Sequence, residues 1–93
     1  MPLQTARACV QVAELAGIAA SRGNSNAVTD AGVAGLLAQA AGEGALWNVQ
    51  INLKSMPESA DKTVVGAELT QVRAALHAAA GAVRSTVETV MSA

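Results

Sequence analysis

The residues best able to do chemistry fall into three groups. Asn24, Asn26, Thr29 and Asp30 stand just before an apolar, helix-forming stretch. Short polar side chains there can cap a helix, since their oxygens accept from the unpaired N–H groups of its first turn. The same N–H groups can receive a ligand's carboxylate or polarised carbonyl. Asp30 opposes a pure anion site but can accept a hydrogen bond from the ring N–H of a heterocycle, and it is the proton-transfer candidate of the group. Asn48 and Asn52 form the second group, stacked at i,i+4 if their stretch is helical. Each amide offers a donor and an acceptor, which suits the edge of a planar heterocycle; the plainer reading is a structural polar network. Arg22 and Lys54 form the third group and can supply positive charge to an anionic ligand or simply be solvated.

The other reactive residues point elsewhere. His77 is the single histidine, lies in an Ala-rich run one place after an apolar seam residue, and reads as structural or solvated. Cys9 is the single cysteine and borders an apolar row, so it reads as an inert thiol. It excludes an internal disulfide framework and fits a reducing, cytoplasmic compartment. The chain has no set of Cys, His and carboxylates spaced to hold a metal. Net charge is -1 with no Lys/Arg cluster, which argues against nucleic acid as a partner. No signal peptide or membrane-spanning run is expected.

The elements that must position these residues are helical. The chain has 93 residues, 52% of them hydrophobic, with one Trp and no Phe or Tyr. Ala is the commonest of those apolar residues, and Ala favours helix while contributing little buried area. The expectation is one all-α domain over 1–93, a small bundle of about four helices. Helix 1 is read at 5–21, with a narrow wet stripe of Gln4, Arg7, Gln11 and Glu14 and apolar rows over the rest of its surface, Ile18 covered among them. Residues 21–30 read as a polar loop, with Gly23 ending helix 1 and Thr29 capping helix 2 at 31–41. Between Ala31 and Gly42 the only polar side chain is Gln39, so this helix is expected at the centre with neighbours on all sides. Gly42-Glu43-Gly44 reads as a break or kink. Trp47 to Leu53 alternates apolar and polar residues like a strand, yet no comparable second strand exists, so 45–54 is read as helix. Residues 55–61 form a linker around Pro57, with Ser59 or Asp61 as cap for a long helix at 62–91.

So small and Ala-rich a bundle is weakly held alone. A homodimer or larger even oligomer is therefore expected, with Val65, Leu69, Val72, Leu76 and Val83 as one interface stripe.

Several of these pieces also resemble a family. Arg22-Gly23-Asn24, Thr29-Asp30, Val33-Ala34, Gly44-Ala45, Asn48-Val49 and Ile51-Asn52-Leu53 are similar to the second half of the formimidoyltetrahydrofolate cyclodeaminase / methenyltetrahydrofolate cyclohydrolase family. Thr29 stands for that pattern's usual serine and keeps the hydroxyl. The resemblance covers Pro2 to about Met56 well and the remainder only by helical character. It implies an all-helical fold, a dimer-based assembly, a one-carbon-substituted tetrahydrofolate as substrate, and no metal or redox cofactor. The reaction it implies is ring closure with loss of ammonia, or hydrolytic ring opening. The resemblance implies that the acidic residues usually assigned to the active site lie in the family's other half. Within this chain, residue chemistry makes Asp30 the catalytic candidate and Arg22, Asn24, Asn26, Thr29, Asn48 and Asn52 the ligand-binding candidates, placed where the 22–30 loop meets the Asn pair. Trp47 stands beside that pair, where it can stack on a pterin or fill space. Family members are much longer, and the chain starts where a typical member is midway through. It reads as a half-length relative or a fragment, inactive by itself or completed by another chain. The alternative is a non-catalytic helical oligomerisation or interaction module built on the same fold.

Overall fold

The computed structural model describes residues 2–22 and 25–92, with the backbone alone at 25 and 26. Three helices account for nearly all of them: α1 (Pro2–Arg22), α2 (Ser25–Ser55) and α3 (Ala60–Ser92). Short connections turn the chain back twice, giving an up-down-up bundle of 52 × 17 × 15 Å. The all-α class stands, and the count is three helices rather than four.

The difference lies in α2. The expected helices at 31–41 and 45–54 are one continuous helix of 31 residues. Gly42-Glu43-Gly44 does not break it, because tertiary contact overrides the weak helix propensity of glycine. A Cβ at Gly42 would stand 2.7 Å from Leu76 Cδ2 and 3.0 Å from the Cβ of Cys9, so the missing side chain is what lets three helices meet there. Gly32 and Gly35 likewise receive Val87 and Val83 of α3. The polar loop also shrinks. α2 already starts at Ser25, so Thr29 lies inside the helix and does not cap it. Gly23, the expected end of helix 1, is outside the described residues.

The second connection lies where expected but is shorter, 56–59 rather than 55–61. Pro57 cannot continue α2. Ser59 caps α3 by accepting from the Lys62 N–H at 3.1 Å through its Oγ, satisfying one of the free donors of the first turn.

The core has two apolar lobes. Ala6, Val10, Ala45, Leu46, Val49, Leu69, Val72 and Leu76 form one, and Ala16, Ala20, Val28, Ala31, Val83 and Val87 the other. Ala13, Ala38 and Ala80, all buried, make a narrow waist between them. Leu46 and Leu76 are fully covered, each burial favouring the fold by roughly 1.5–3 kcal/mol.

Three burial expectations change. Leu69, Val72, Leu76 and Val83, expected at a subunit interface, are buried in the chain's own core, and Val65 packs against it. α1 is covered on one face only, because two neighbours cannot surround a helix: Val12, Leu15 and Ile18 are exposed. For the same reason α2 is not enclosed, and Val33, Leu36, Leu37, Trp47 and Ile51 face outward. No described helix is long and apolar enough to cross a membrane.

Candidate functional site

The continuity of α2 decides which candidate residues can meet. Thr29 and Asp30 are exposed near its start, and Asn48 and Asn52 are exposed near its end. Eighteen residues of helix between Asp30 and Asn48 amount to about 27 Å. One copy of the chain therefore does not bring them into a single cluster, contrary to the expected meeting of the 22–30 segment with the Asn pair. That expectation relied on a break at Gly42-Glu43-Gly44 to fold the second helix back on the first. Arg22 ends α1, beside the start of α2, whereas Lys54 lies at the far end of α2, so these cations do not share a site either. Asn24 lies outside the described residues, and the side chain of Asn26 is not described. Among the described residues, the amides of Asn48 and Asn52 make no hydrogen bond within the chain; only the backbone carbonyl of Asn52 is engaged, by Ser55 Oγ at 3.0 Å. They are not part of an internal polar network.

The structure assembles a different polar cluster, across α2 and α3. Glu43 Oε1 accepts from Arg73 Nε at 2.9 Å, and its Oε2 lies 3.1 Å from His77 Nε2. Arg73 Nη2 also donates to Gln50 Oε1 at 3.2 Å. Two turns of α2 separate Glu43 from Gln50, and one turn of α3 separates Arg73 from His77, so each pair shares a face. Glu43 and Arg73 are partly buried, while the His77 side chain is 53% exposed. A carboxylate on one imidazole nitrogen fixes the ring's orientation and tautomer, the arrangement from which a histidine accepts or donates a proton at its other nitrogen. Partly exposed pairs of this kind also serve simply to tie helices together, at up to about 1 kcal/mol each.

Beside this cluster α2 and α3 enclose an open cleft of about 320 Å³, lined by Thr29, Gly32, Val33, Leu36, Ala80, Arg84, Val87, Glu88 and Met91. Its floor is apolar, with Arg84 and Glu88 on the α3 rim. Leu36 and Ala80 are the lining residues nearest in sequence to Glu43 and His77, and α1 contributes none of the lining.

Sequence reasoning missed the cluster because it treated Glu43 as part of a helix break. Without a continuous α2, the seven-residue spacing of Glu43 and Gln50 had no meaning. The four-residue spacing of Arg73 and His77 was the available signal. Among the described residues no group of three or more His, Cys, Asp or Glu side chains is placed to hold a metal ion. Every buried side-chain nitrogen and oxygen described has a partner.

The comparisons with known proteins reach over α1, α2 and the first part of α3. The Formiminotransferase-cyclodeaminase family model matches residues 1–71, which takes in α1, α2 and the first part of α3. A methenyltetrahydrofolate cyclohydrolase of Methylorubrum extorquens is 43% identical over 60 residues. That match covers 64% of this chain and 29% of the relative. No solved structure matches the chain. Arg73 and His77 lie beyond the family match, while Glu43 and Gln50 lie within it. With the match extending over most of its length, the chain belongs to the Formiminotransferase-cyclodeaminase family.

Proposed function

We propose that this chain forms a ligand-facing helical wall of a cyclodeaminase/cyclohydrolase-type protein acting on one-carbon-substituted tetrahydrofolate. The reaction is closure or hydrolytic opening of a one-carbon bridge. The observation that carries the reading is the family match over residues 1–71, and the cyclohydrolase named above supports it.

The candidate ligand residues remain available for such a role. Asn48 and Asn52 present unengaged amides that read the edge of a pterin ring. Thr29 and Asp30, with Arg22, Asn24 and Asn26 nearby in sequence, form a second station at the other end of α2, where Asp30 is the proton-transfer candidate. A homodimer in the cytoplasm remains part of the proposal, and no cofactor is needed beyond the folate substrate. A second reading, a non-catalytic interaction module, is favoured by the exposed apolar row on α2.

Titration with 5-formyltetrahydrofolate separates the two readings. The native chain is compared with Asn48→Leu and Asp30→Ala, with helicity checked for each. Binding weakened at least tenfold in Asn48→Leu supports the ring-edge role. Equal affinity in all three removes these residues from the site, and no binding at millimolar ligand leaves the interaction module.

A further inference from the structure

The cleft of about 320 Å³ between α2 and α3 is at the small end of the range for sites that hold small molecules. Its floor is closed. Val87 of α3 comes within 2.9 Å of the place where a Cβ on Gly32 would stand, and Val83 within 3.0 Å of the same place on Gly35. These two contacts also set the level of the walls: Val33 and Leu36 of α2 stand beside Arg84 and its neighbours on α3. The apolar walls are open to solvent, with Val33 53%, Leu36 48% and Met91 61% exposed. An apolar hollow with a few charged groups at its edge is the common build of a ligand site.

The edge carries one charge of each sign. Arg84 and Glu88 lie one turn apart on α3, and both are exposed. Neither forms a salt bridge among the described residues. Glu88 accepts from Ser92 Oγ at 2.7 Å, but through its backbone carbonyl and not its carboxylate. The order along the chain works against their pairing: a helix favours the acid four residues before the base, and here the base comes first. The guanidinium therefore keeps its fork of donors, and the carboxylate its acceptors, for something else.

We propose that the cleft binds a free α-amino acid with an apolar side chain. The ligand's carboxylate accepts from Arg84 in a bidentate pair. Its ammonium donates to Glu88, and its side chain lies on Val33 and Leu36. A ligand with both charges close together satisfies this edge. A simple carboxylate would meet Glu88 as a like charge, and a simple amine would meet Arg84. A charged side chain would lose hydration against the apolar walls with no hydrogen bond in return, which selects against glutamate and lysine. The α3 wall lies beyond residue 71, where the family match ends. Among the described residues, Thr29 alone of the folate candidates lines the cleft. The site is thus separate from the folate reading and does not depend on it. Exposed charges gain little from pairing, so a dissociation constant of about 1 mM is expected.

Protein-detected NMR with L-methionine, titrated well beyond about 1 mM, tests the site. The expected result is saturable shifts confined to the amides of 29–36 and 80–91. N-acetyl-L-methionine lacks the ammonium, L-methioninamide lacks the carboxylate, and glycine lacks the side chain; each binds at least tenfold more weakly than L-methionine, as does L-glutamate. Arg84→Gln weakens L-methionine at least tenfold but leaves the residual binding of L-methioninamide unchanged. Glu88→Gln weakens L-methionine likewise and leaves that of N-acetyl-L-methionine unchanged. Pairing variant with ligand in this way separates a direct contact from a general loss of structure. Both residues are exposed, so helicity should hold, and the ligand series needs only the native chain if a variant does not fold. Absence of saturable shifts overturns the proposal. So do shifts centred outside the cleft, N-acetyl-L-methionine or L-methioninamide binding as tightly as L-methionine, or folded Arg84→Gln and Glu88→Gln variants that bind L-methionine as the native chain does.

Discussion

Gly42 and Gly44 stand two residues apart on one helix and differ in every physical respect but composition. Gly42 is buried, with Leu76 and Cys9 against the place where a side chain would start. Gly44 borders open space. The first is explained by packing inside the chain, which does not account for the second. A glycine's role is therefore set by the direction it faces on the helix, which its neighbours in sequence do not reveal until the helix is known to be continuous.

Five variants would break or sharpen that contrast. Leu76→Ala tests the inward side most severely. Leu76 is fully covered, so a loss of roughly 2–5 kcal/mol is expected, read as the denaturant midpoint. Gly42→Ala is next. Its new methyl gains helix propensity of up to about 1 kcal/mol but must displace Leu76 or Cys9, at a cost of roughly 1–3 kcal/mol. A net loss of about 1 kcal/mol should lower Tm by several degrees in a domain of this size. Gly44→Ala should move the other way, gaining up to about 1 kcal/mol, read as a rise in Tm. If both alanine variants shift Tm in the same direction, the contrast fails. Glu43→Gln, between the two glycines, keeps the shape and removes the charge facing Arg73 and His77. For pairs this exposed a loss below about 1 kcal/mol is expected, and thermal melts of Glu43→Gln and His77→Ala, singly and together, should show non-additive shifts.

The helical class, Ser59 as a cap and the wet stripe of α1 were legible because each follows from local periodicity or capping chemistry. What escaped was tertiary. Whether Gly42-Glu43-Gly44 breaks a helix depends on Leu76, thirty-odd residues away. The apolar rows of α1 gave no sign that Val10 and Ala13 face the core while Val12 and Leu15 face out. The regular spacing of Val65 to Val83 announced a contact surface correctly, but periodicity does not say whether the surface meets the same chain or another. Of the candidate site residues, the sequence identified exposed polar groups on α2 and misjudged their separation, because a predicted turn and a predicted rod of the same residues put Asp30 and Asn48 at different distances.

The glycine notches of α2 also act as an alignment key. Val87, Val83 and Leu76 of α3 enter beside Gly32, Gly35 and Gly42. Shift α3 along its neighbour by four residues in one direction, and the same three side chains meet Val28, Ala31 and Ala38; in the other, they meet Leu36, Gln39 and Leu46. Every one of those positions carries a side chain where the backbones now nearly touch. Sliding is blocked in both senses, so a load applied at one tip of this 52 Å rod is transmitted to the other as a tilt of the whole body.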